Sequence, residues 1–569
     1  MSGRGLALAC LLLVAATQAV AILTEVSPLL AGRLVDGDCY VRLARLQALL
    51  EGRGWYDPAI SLLNAPDGEG LHWTRPFDLL LLLLALPLLP MLGLQQAVWQ
   101  AGLWISPVLE LATLGLLVWG LKPHLKPGGI LLAACLFVIQ PVIASFFLAA
   151  RPDHHSLQIL LEVAVLAALM RVNGLLAGFA AALALWVSAE ALLLVLAAGL
   201  FLGLMWIVEG EGERRRLQAF VLGLAVGLTL ALMMERPPAQ WLAIEYDRLS
   251  LAQVGLGWIL LLSVLWTAVG NVWAVDWLRR LPLGLGMAAQ AAGLLALLFP
   301  DFFEGPYGAL DPRLVPIWFS LVKEAQPLSF GPKAAILLGP PLLGLGYGLW
   351  RLRNAHERRL LGPALCALAV YIPATLYQVR IAAFAASADI APWTLLILAA
   401  ADIRRWRILL PPLLLTGHLI LALVIAKLAP GTRDAGSSGV CAWHELAAHV
   451  KAEWPGDVRP ILTYVFPGPE LGFLSGHAVV AGPYHRSAQG ILDIETALGS
   501  ADDAPAREVT KRRRIGWIAV CDQESQGLRF SERGGFHARL VQGEAPDWLS
   551  PAAAFTSSKG NFRVYEVVR

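Results

Sequence analysis

The chain has 569 residues, of which 57% are hydrophobic and 15% are charged, and its mean hydropathy is +0.63. This composition is typical of a polytopic membrane protein and excludes a soluble enzyme of the same size. The formal net charge of +2 gives no global field that would attract nucleic acid. The six cysteines form no C-x-x-C pair, which argues against a thiolate metal site.

The apolar run from Leu6 to Leu23 has two interpretations. It is a signal peptide cleaved among the small residues 16–21, or an uncleaved first span with a cytoplasmic N-terminus. We favour the uncleaved span because many more spans follow. With it, the apolar stretches predict about thirteen crossings in total. The others lie at roughly residues 100–121, 129–150, 156–172, 174–190, 191–208, 215–234, 252–270, 281–299, 334–350, 359–378, 386–401 and 407–427.

The segment 79–92 is apolar but short for a crossing and contains Pro87 and Pro90, so we interpret it as re-entrant or half-buried. With this assignment of spans, the basic clusters of alternate loops all lie on one side of the membrane, as the positive-inside rule requires of the cytoplasmic side. Counting 79–92 as a crossing would invert every later loop. The clusters are Lys122 and Lys126; Arg171; Arg214, Arg215 and Arg216; Arg279 and Arg280; Arg351, Arg353, Arg358 and Arg359; Arg404, Arg405 and Arg407.

The assignment of spans predicts two domains. Residues 1–429 form the membrane domain, with a large first external loop at 28–99 and a long external loop at 300–333. Residues 430–569 begin with a Gly/Ser-rich linker and then alternate helical and β-type segments, which predicts an external α/β domain. Its expected helix is 444–454, and its expected strands are 461–466, 478–481 and 515–520. Cys441 and Cys521 lie on the oxidising side, which permits a disulfide.

Arg151-Pro152-Asp153-His154-His155 lies between two predicted spans. Carboxylate and imidazole groups are costly at a membrane boundary unless they have a use, and both are ligands for divalent metals. The alternative is an interfacial loop whose histidines cap a helix.

Three more polar motifs fall on the same predicted side. Asp36-Gly37-Asp38 follows the first span and precedes Arg42 and Arg45. Val322-Lys323-Glu324-Ala325-Gln326-Pro327 lies in the long external loop, and Arg380 follows the span 359–378. In this order, the four motifs resemble those of the catalytic subunit of oligosaccharyltransferase, within the C-type (GT-C) membrane glycosyltransferases. The resemblance covers roughly residues 5–427.

The resemblance implies roles for these residues. The family's first motif is an aspartate shortly before Arg-x-x-Arg, which either Asp36 or Asp38 matches, and its second, Asp-x-His, matches Asp153 and His155. The family's loop glutamate matches Glu324, and its phosphate-binding arginine matches Arg380. The family's Trp-Trp-Asp motif, which reads an asparagine sequon, has no counterpart here, so transfer to asparagine is in doubt.

We therefore predict a divalent metal, Mg²⁺ or Mn²⁺, held by Asp36 or Asp38 together with Asp153 and His155. Its Lewis acidity would stabilise a departing phosphate, with bidentate support from Arg380. The carboxylate not committed to the metal would accept a proton from the acceptor, so the predicted catalytic residues are Asp36, Asp38 and Glu324. The predicted donor-phosphate ligands are Arg380, His72 and Arg75.

Three other polar segments are assigned less specifically. Glu190 is a functional candidate by its position at a membrane edge, although an interfacial placement explains it equally well. Residues 245–248 are interpreted as structural. The stretch 476–486, Gly-His-Ala-Val-Val-Ala-Gly-Pro-Tyr-His-Arg, is either a substrate contact or, as we favour, a strand followed by a surface turn.

The predicted protein is thus a mainly α, GT-C-like membrane glycosyltransferase of the bacterial inner membrane, with its site and C-terminal domain in the periplasm. It would move a sugar or glycan from a polyprenyl-(di)phosphate donor to a protein, lipid or glycan acceptor, and the resemblance implies inversion at the anomeric carbon. One alternative is a flippase for a lipid-linked glycan, which should show internal repeats and functional groups near the bilayer midplane. Another is a relative that has lost activity.

Overall fold

The computed structural model describes residues 3–270, 276–352, 355–403, 408–428, 441–454 and 458–568. A helical bundle comes first and a small α/β domain follows. The predicted boundary at 429/430, the Gly/Ser-rich linker, Arg353 and the cluster at 404–407 lie outside the described residues. The helices of the first part are α1 (Gly3–Leu23), α2 (Gly37–Leu50), α3 (Arg75–Ala85), α4 (Leu89–Leu121), α5 (Pro127–Ile139), α6 (Pro141–Ala144), α7 (His154–Met170), α8 (Gly174–Val187), α9 (Leu192–Glu209), α10 (Glu211–Glu235), α11 (Leu251–Gly270), α12 (Trp277–Leu298), α13 (Leu314–Ile317), α14 (Pro332–Arg351), α15 (Ala355–Tyr377), α16 (Ala382–Asp402) and α17 (Leu410–Leu428).

Each predicted crossing coincides with a helix of this bundle, and the multi-pass membrane fold is confirmed. Within the described ranges, eight helical stretches are long and apolar enough to cross a membrane by length and composition, and α5, α7 and α8 are shorter apolar helices. The predicted crossing 129–150 is too long at its end, because α5 stops at Ile139. Pro141 explains the stop, since proline lacks the N–H of a continuing helix and disfavours helical geometry in the residue before it.

The segment predicted to be re-entrant is helical and leads into α4. Together α3 and α4 make a helical stretch of 47 residues, which at about 1.5 Å per residue would far exceed the hydrocarbon core of about 30 Å if it were straight. Gly93, with φ 73° and ψ 171°, breaks the helix. A positive φ is readily adopted by glycine alone, so this residue permits the change of direction.

Helices α8 and α10 pack with their backbones close together. Gly178 lies against the backbone of Phe220, and Gly223 lies against the backbone of Leu175. A Cβ at either glycine would collide with the facing helix, so these small residues permit backbones to approach closely, as at many membrane helix interfaces.

Arginines from the predicted cytoplasmic loops gather at one end of the bundle. Arg216 donates to the backbone oxygen of Leu169, at the C-terminal end of α7, and pairs with Glu213 at 2.9 Å. Arg358 pairs with Glu209 at 3.1 Å. The motif 151–155 lies at the opposite end of α7, about 25 Å away along the helix at 1.5 Å per residue.

The C-terminal domain contains a four-stranded sheet with order β3-β4-β6-β5. Strand β3 runs parallel to β4, and the other neighbours are antiparallel. The first loop carries the two-stranded β1–β2 ladder. The strands are β1 (Ala59–Ile60), β2 (Glu69–Gly70), β3 (Ile461–Leu462), β4 (Trp517–Cys521), β5 (Leu549–Thr556) and β6 (Asn561–Val567), and the helices are α18 (Trp443–Glu453), α19 (Gly468–Ser475), α20 (Ala488–Leu498), α21 (Ala504–Arg512), α22 (Ser525–Ser531) and α23 (Phe536–Gln542).

The α/β prediction for this domain holds, with three corrections. The strand expected at 461–466 stops at Leu462, and the one expected at 478–481 reduces to a single bridge between Val479 and Ile461. Strands β5 and β6 were not predicted. Cys441 and Cys521 form a disulfide with a Cα–Cα distance of 6.6 Å.

One hydrophobic core joins this domain to the first loop. Val41, Leu63 and Trp73 belong to the same buried cluster as the strands of the C-terminal sheet. Backbone hydrogen bonds add to it, because the N–H of Ala65 donates to the oxygen of Val479 at 3.1 Å, and the Val479 N–H donates to the oxygen of Leu62 at 2.8 Å. The C-terminal domain is therefore packed directly beside the start of α2.

Candidate active site

The start of α2 presents two carboxylates. Asp36 is the N-cap residue, and its Oδ1 accepts hydrogen bonds from the Cys39 N–H at 3.2 Å and from the Cys39 thiol at 3.0 Å. An aspartate at this position satisfies a helix N–H that has no partner within the helix. Asp38 follows in the first turn, and its Oδ1 accepts a hydrogen bond from the Tyr484 hydroxyl at 2.8 Å.

The start of α7 presents a second group. Asp153 is the N-cap residue, its Oδ2 lies 2.8 Å from Nδ1 of His155, and its Oδ1 lies 2.9 Å from Nδ1 of His154. One ligand atom from each of these three buried residues lies within 4.8 Å of the others. Arg151 connects this group to α2, with its guanidinium 3.6 Å from Asp153 and 3.8 Å from Asp36.

A third group surrounds Arg380. Its guanidinium donates to Glu190 at 2.8 Å and lies 3.3 Å from Glu324. The segment that carries Glu324 is fixed to the same place, because the Val379 N–H donates to the backbone oxygen of Gln326 at 3.1 Å. Glu190 also approaches the second group, since its Oε2 lies 4.0 Å from Nε2 of His155.

These groups share one cleft, which opens to solvent. Its lining comes from the first loop, the starts of α2 and α7, the segment before α9, the loop between α10 and α11, the long loop, the segment before α16 and the C-terminal domain. Lining residues include Asp38, His72, Trp73, His154, His155, Glu190, Asp247, Tyr307, Phe319, Glu324, Arg380, Pro483, Tyr484 and His485.

Negative charge is in excess on the α2 side of the cleft. Burial, together with repulsion from Asp36 and Asp153, raises the pKa of Asp38 to about 7, although the hydrogen bond from Tyr484 lowers it. Arg151 contacts two of these three carboxylates, and the imidazoles of His154 and His155 lie against Asp153. A divalent cation would relieve this repulsion, so the charge balance fits a metal.

The unpaired atoms fit a metal as well. Nε2 of His155 is buried and has no hydrogen-bond partner among the described residues, and the same holds for Oε2 of Glu190. A buried polar atom without a partner is costly, and imidazole nitrogen beside carboxylate oxygen is a common divalent-metal ligand set.

Most of the residues predicted from sequence meet here. Asp38, His155, Glu324 and Arg380 line the cleft, and Asp153 contacts His155. Asp36 is joined to the group through Arg151. Their roles remain predictions, but four segments distant in sequence do converge on one place.

The two other predicted phosphate ligands are placed differently. Arg75 lies outside the cleft, because its guanidinium binds Asp78 at 3.1 Å and the backbone oxygens of Trp55 and Asp57 at 2.8 and 2.7 Å. We do not retain it as a phosphate ligand. His72 lines the cleft, but burial and the neighbouring His485 hold its pKa well below the usual value, so it contributes no positive charge.

Sequence reasoning missed several lining groups. His154 stands beside a predicted ligand, whereas Glu190 is a functional candidate from its sequence position and does line the cleft. Tyr484 and His485 lie in the stretch 476–486, which we had favoured as a surface turn, whereas both side chains face the cleft. No sequence signal marked Tyr307.

The tryptophans of the C-terminal domain have structural contacts. Trp443 donates to Glu524 at 2.8 Å, Trp548 donates to Asp503 at 2.5 Å, and Trp454 stacks on Trp517 with ring centroids 4.4 Å apart. These four residues do not line the cleft, which agrees with the missing Trp-Trp-Asp motif.

No protein-family model matches the chain, and no curated protein matches it in sequence. Solved structures do match. Archaeal oligosaccharyltransferase AglB from Archaeoglobus fulgidus, in complex with an inhibitory peptide and a dolichol-phosphate, aligns with a TM-score of 0.64 and 13% identity over 86% of this chain and 66% of that chain. The chain has the fold of this oligosaccharyltransferase. The polytopic GT-C fold implied by the resemblance is therefore confirmed.

Two more structures of the Archaeoglobus fulgidus oligosaccharyltransferase give similar values. The one tethered to an acceptor peptide containing the NVT sequon has a TM-score of 0.61, 12% identity and coverage of 94% of this chain and 70% of that one. The complex with Zn and sulfate has a TM-score of 0.59, 12% identity and coverage of 93% and 69%. The chain spans 66% of the length of the AglB chain in the first alignment.

Proposed function

We propose that this chain is a membrane glycosyltransferase that uses a polyprenyl-(di)phosphate-linked sugar or glycan as donor. Transfer would take place on the external face of the bacterial inner membrane, to a protein, lipid or glycan acceptor. The observation that carries this proposal is the convergence of a carboxylate–imidazole group, a loop glutamate and Arg380 on one cleft at one end of the bundle. The oligosaccharyltransferase fold supports it.

The chemistry of the donor explains why these residue types belong together. The acceptor nucleophile attacks the anomeric carbon, the bond from that carbon to the phosphate oxygen breaks, and the (di)phosphate leaves with the bonding electrons. Charge therefore develops on phosphate oxygens during the step, and fixed positive groups aimed there lower the barrier. The guanidinium of Arg380 is suited to this because its planar fork matches phosphate geometry.

A divalent metal, Mg²⁺ or Mn²⁺, completes the proposal. Asp36, Asp38, Asp153 and His155 would hold it, and when bound it would supply Lewis acidity toward the leaving phosphate. Support comes from the charge excess described above and from the Zn and sulfate complex of the archaeal protein. The dolichol-phosphate complex of that protein supports a polyprenyl phosphate as the donor's leaving part.

The remaining carboxylates act on the acceptor. Asp36 or Asp38, whichever is less engaged with the metal, accepts the proton that the nucleophile loses. Glu324 orients the acceptor from the long loop, whose end is fixed beside Arg380 through Gln326. The resemblance adds inversion at the anomeric carbon.

The test is sugar transfer in membranes from a lipid-linked sugar pool. Wild type is compared with Asp153→Ala, each with and without EDTA, and Asp67→Ala on the first loop is the control carboxylate. Transfer that is lost in Asp153→Ala and in EDTA, and kept in the control, supports the proposal. Transfer that survives both treatments contradicts the metal site, and a wild type that moves no sugar but flips a lipid-linked glycan contradicts the enzyme.

A further inference from the structure

A short segment of the C-terminal domain enters the cleft. We call Pro483–Arg486 the strap. Tyr484 is 4% exposed, and its ring meets Trp73 edge to face with centroids 5.2 Å apart. Its hydroxyl donates to Oδ1 of Asp38 at 2.8 Å, across 446 positions of sequence. A residue of the C-terminal domain thus touches a carboxylate of the membrane domain's first motif.

The strap is fixed on its other side by a loop of the membrane domain. Arg486 forms a two-pronged bond to Asp247, with donor–acceptor distances of 2.8 and 2.7 Å, and it also donates to Glu245 at 2.5 Å. His485 approaches the same Asp247 at 2.7 Å. Planar, bidentate arginine–carboxylate pairs are both strong and geometrically specific, so this contact sets where the strap lies.

The loop that receives the strap is itself ordered by ion pairs. Arg236 pairs with Glu245 at 2.6 Å, and Arg248 pairs with it at 2.7 Å. The chain of contacts therefore runs from these arginines through Glu245 and Arg486 to Tyr484 and ends on Asp38.

We propose that Tyr484 is a positioning residue of the active site and that the Arg486–Asp247 pair locks it in place. The inference rests on the proposed metal-dependent function, because Asp38 is one of the carboxylates proposed to hold the metal. Repulsion from Asp36 and Asp153 would turn the Asp38 carboxylate away from these two residues. The Tyr484 hydroxyl opposes this rotation, because it holds Oδ1 of Asp38 by a hydrogen bond.

This arrangement gives the C-terminal domain a role in the chemistry. Hydrogen-bond partners of a ligating carboxylate fix its orientation, and losing one typically weakens metal binding about 10- to 100-fold. Tyr484 touches the ligand and Arg486 acts only through Tyr484. Both residues should therefore change metal affinity, although neither would bind the metal.

The experiment is a Mn²⁺ titration of the purified full-length protein, followed by electron paramagnetic resonance at fixed pH. Tyr484→Phe should raise the Kd for Mn²⁺ about 10-fold or more. Tyr464→Phe is the matched control, because it removes another buried tyrosine hydroxyl of the same domain, one bonded to the Cys521 backbone oxygen at 3.1 Å and to His537 at 2.6 Å. That control should keep the wild-type Kd.

Arg486→Met supplies a second and independent variant. If it acts through Tyr484, its effect on the Kd and that of Tyr484→Phe are not additive in the double variant. A wild-type Kd in both single variants overturns the inference while the proposed function stands. A wild type that binds no Mn²⁺ overturns both, so the two failures are distinguishable.

Discussion

Helix α2 contributes to two charge clusters of opposite design, of which the first is buried and the second is partly exposed, since the Asp36 side chain is 38% exposed. Asp78 receives three arginines, with Arg45 at 2.7 Å, Arg75 at 3.1 Å and Arg42 at 3.4 Å. At the start of the same helix, Arg151 contacts two carboxylates, Asp36 at 3.8 Å and Asp153 at 3.6 Å. The first cluster has its carboxylate fully bonded, whereas the second has more negative charge than the protein balances.

The difference separates a structural cluster from a functional one. Buried ions persist only when they are paired and hydrogen-bonded, and the Asp78 carboxylate meets that requirement within the chain, because arginines donate to both of its oxygens. Nε of Arg42 and one terminal nitrogen of Arg45 have no partner in the described parts of the chain, but neither residue lines the cleft. Nε2 of His155 has no hydrogen-bond partner there either, and His155 does line the cleft. An unbalanced charge cluster beside an open cleft indicates a site that is completed by a ligand.

The largest expected effect comes from a substitution that breaks the structural cluster around Asp78. Asp78 is 0% exposed, so Asp78→Asn should leave buried arginines uncompensated and lower the free energy of unfolding by about 3–5 kcal/mol. Thermal unfolding of the purified protein measures this. Asp57→Asn, which affects an exposed pair with Arg53 at 3.4 Å, should cost less than about 1 kcal/mol. Equal stability of the two variants would contradict the structural assignment.

The cluster around Glu245 extends the comparison to the loop between α10 and α11. Burial raises the pKa of Glu245, but hydrogen bonds from Arg248, Arg486 and Arg236 outweigh burial and lower this pKa to about 2. A carboxyl with a lowered pKa contributes stability that is fully present above its unfolded value, near 4.5, and lost as the pH falls toward 2. Relative to wild type, Glu245→Gln should remove about 2–3 kcal/mol of stability at pH 7 and flatten the acid limb of the unfolding curve. An acid limb identical to that of wild type would contradict this.

Arginine geometry at the cleft gives the next effect. Arg380→Lys keeps the charge but loses the planar fork, and charge-assisted bonds of about 1.5–3 kcal/mol correspond to a 10- to 100-fold drop in the transfer rate. Arg313→Lys, on an exposed pair with Asp311 in the long loop, should transfer at the wild-type rate. The two rates come from the same membrane assay, and an unaffected Arg380→Lys would contradict phosphate binding by the guanidinium.

The smallest expected effect comes from a substitution in the second cluster, at Asp38 in the cleft. Without metal, Asp38→Asn removes one of three repelling carboxylates, so it should raise the free energy of unfolding slightly, by less than about 1 kcal/mol. The expected sign is thus opposite to that for Asp78→Asn. Denaturant unfolding of the metal-free proteins checks it, and a loss of stability above 1 kcal/mol would contradict the charge imbalance.

The bundle could be predicted from the long apolar stretches of the sequence, because hydropathy marks the helices that cross a membrane. The motif 151–155 was also found, because charged and imidazole groups at a membrane edge are costly and hence conspicuous. Strand β5 is hard to predict, since the stretch Pro551–Ala554 is rich in alanine and lacks the β-branched residues that signal a strand. Strand β6 was predictable, because its sequence Asn-Phe-Arg-Val-Tyr-Glu-Val is rich in aromatic and β-branched residues.

Other residues could not be assigned without tertiary contacts. Tyr484 meets Asp38 only after the C-terminal domain packs on the first loop, and no local pattern predicts that. The pairing of Arg75 with Asp78 is predictable from sequence, because the two residues stand at i and i+3 on one helix and such pairs face each other.

The central claim is that the excess negative charge on the α2 side of the cleft is a divalent-metal site. The most direct measurement is the thermal unfolding of the metal-free protein with and without Mn²⁺. At 100 times the Kd, a ligand of the folded state adds about 2.7 kcal/mol, so wild type should unfold at a clearly higher temperature with Mn²⁺ and Asp153→Asn should not. A wild type whose unfolding temperature does not change with millimolar Mn²⁺ would contradict the account.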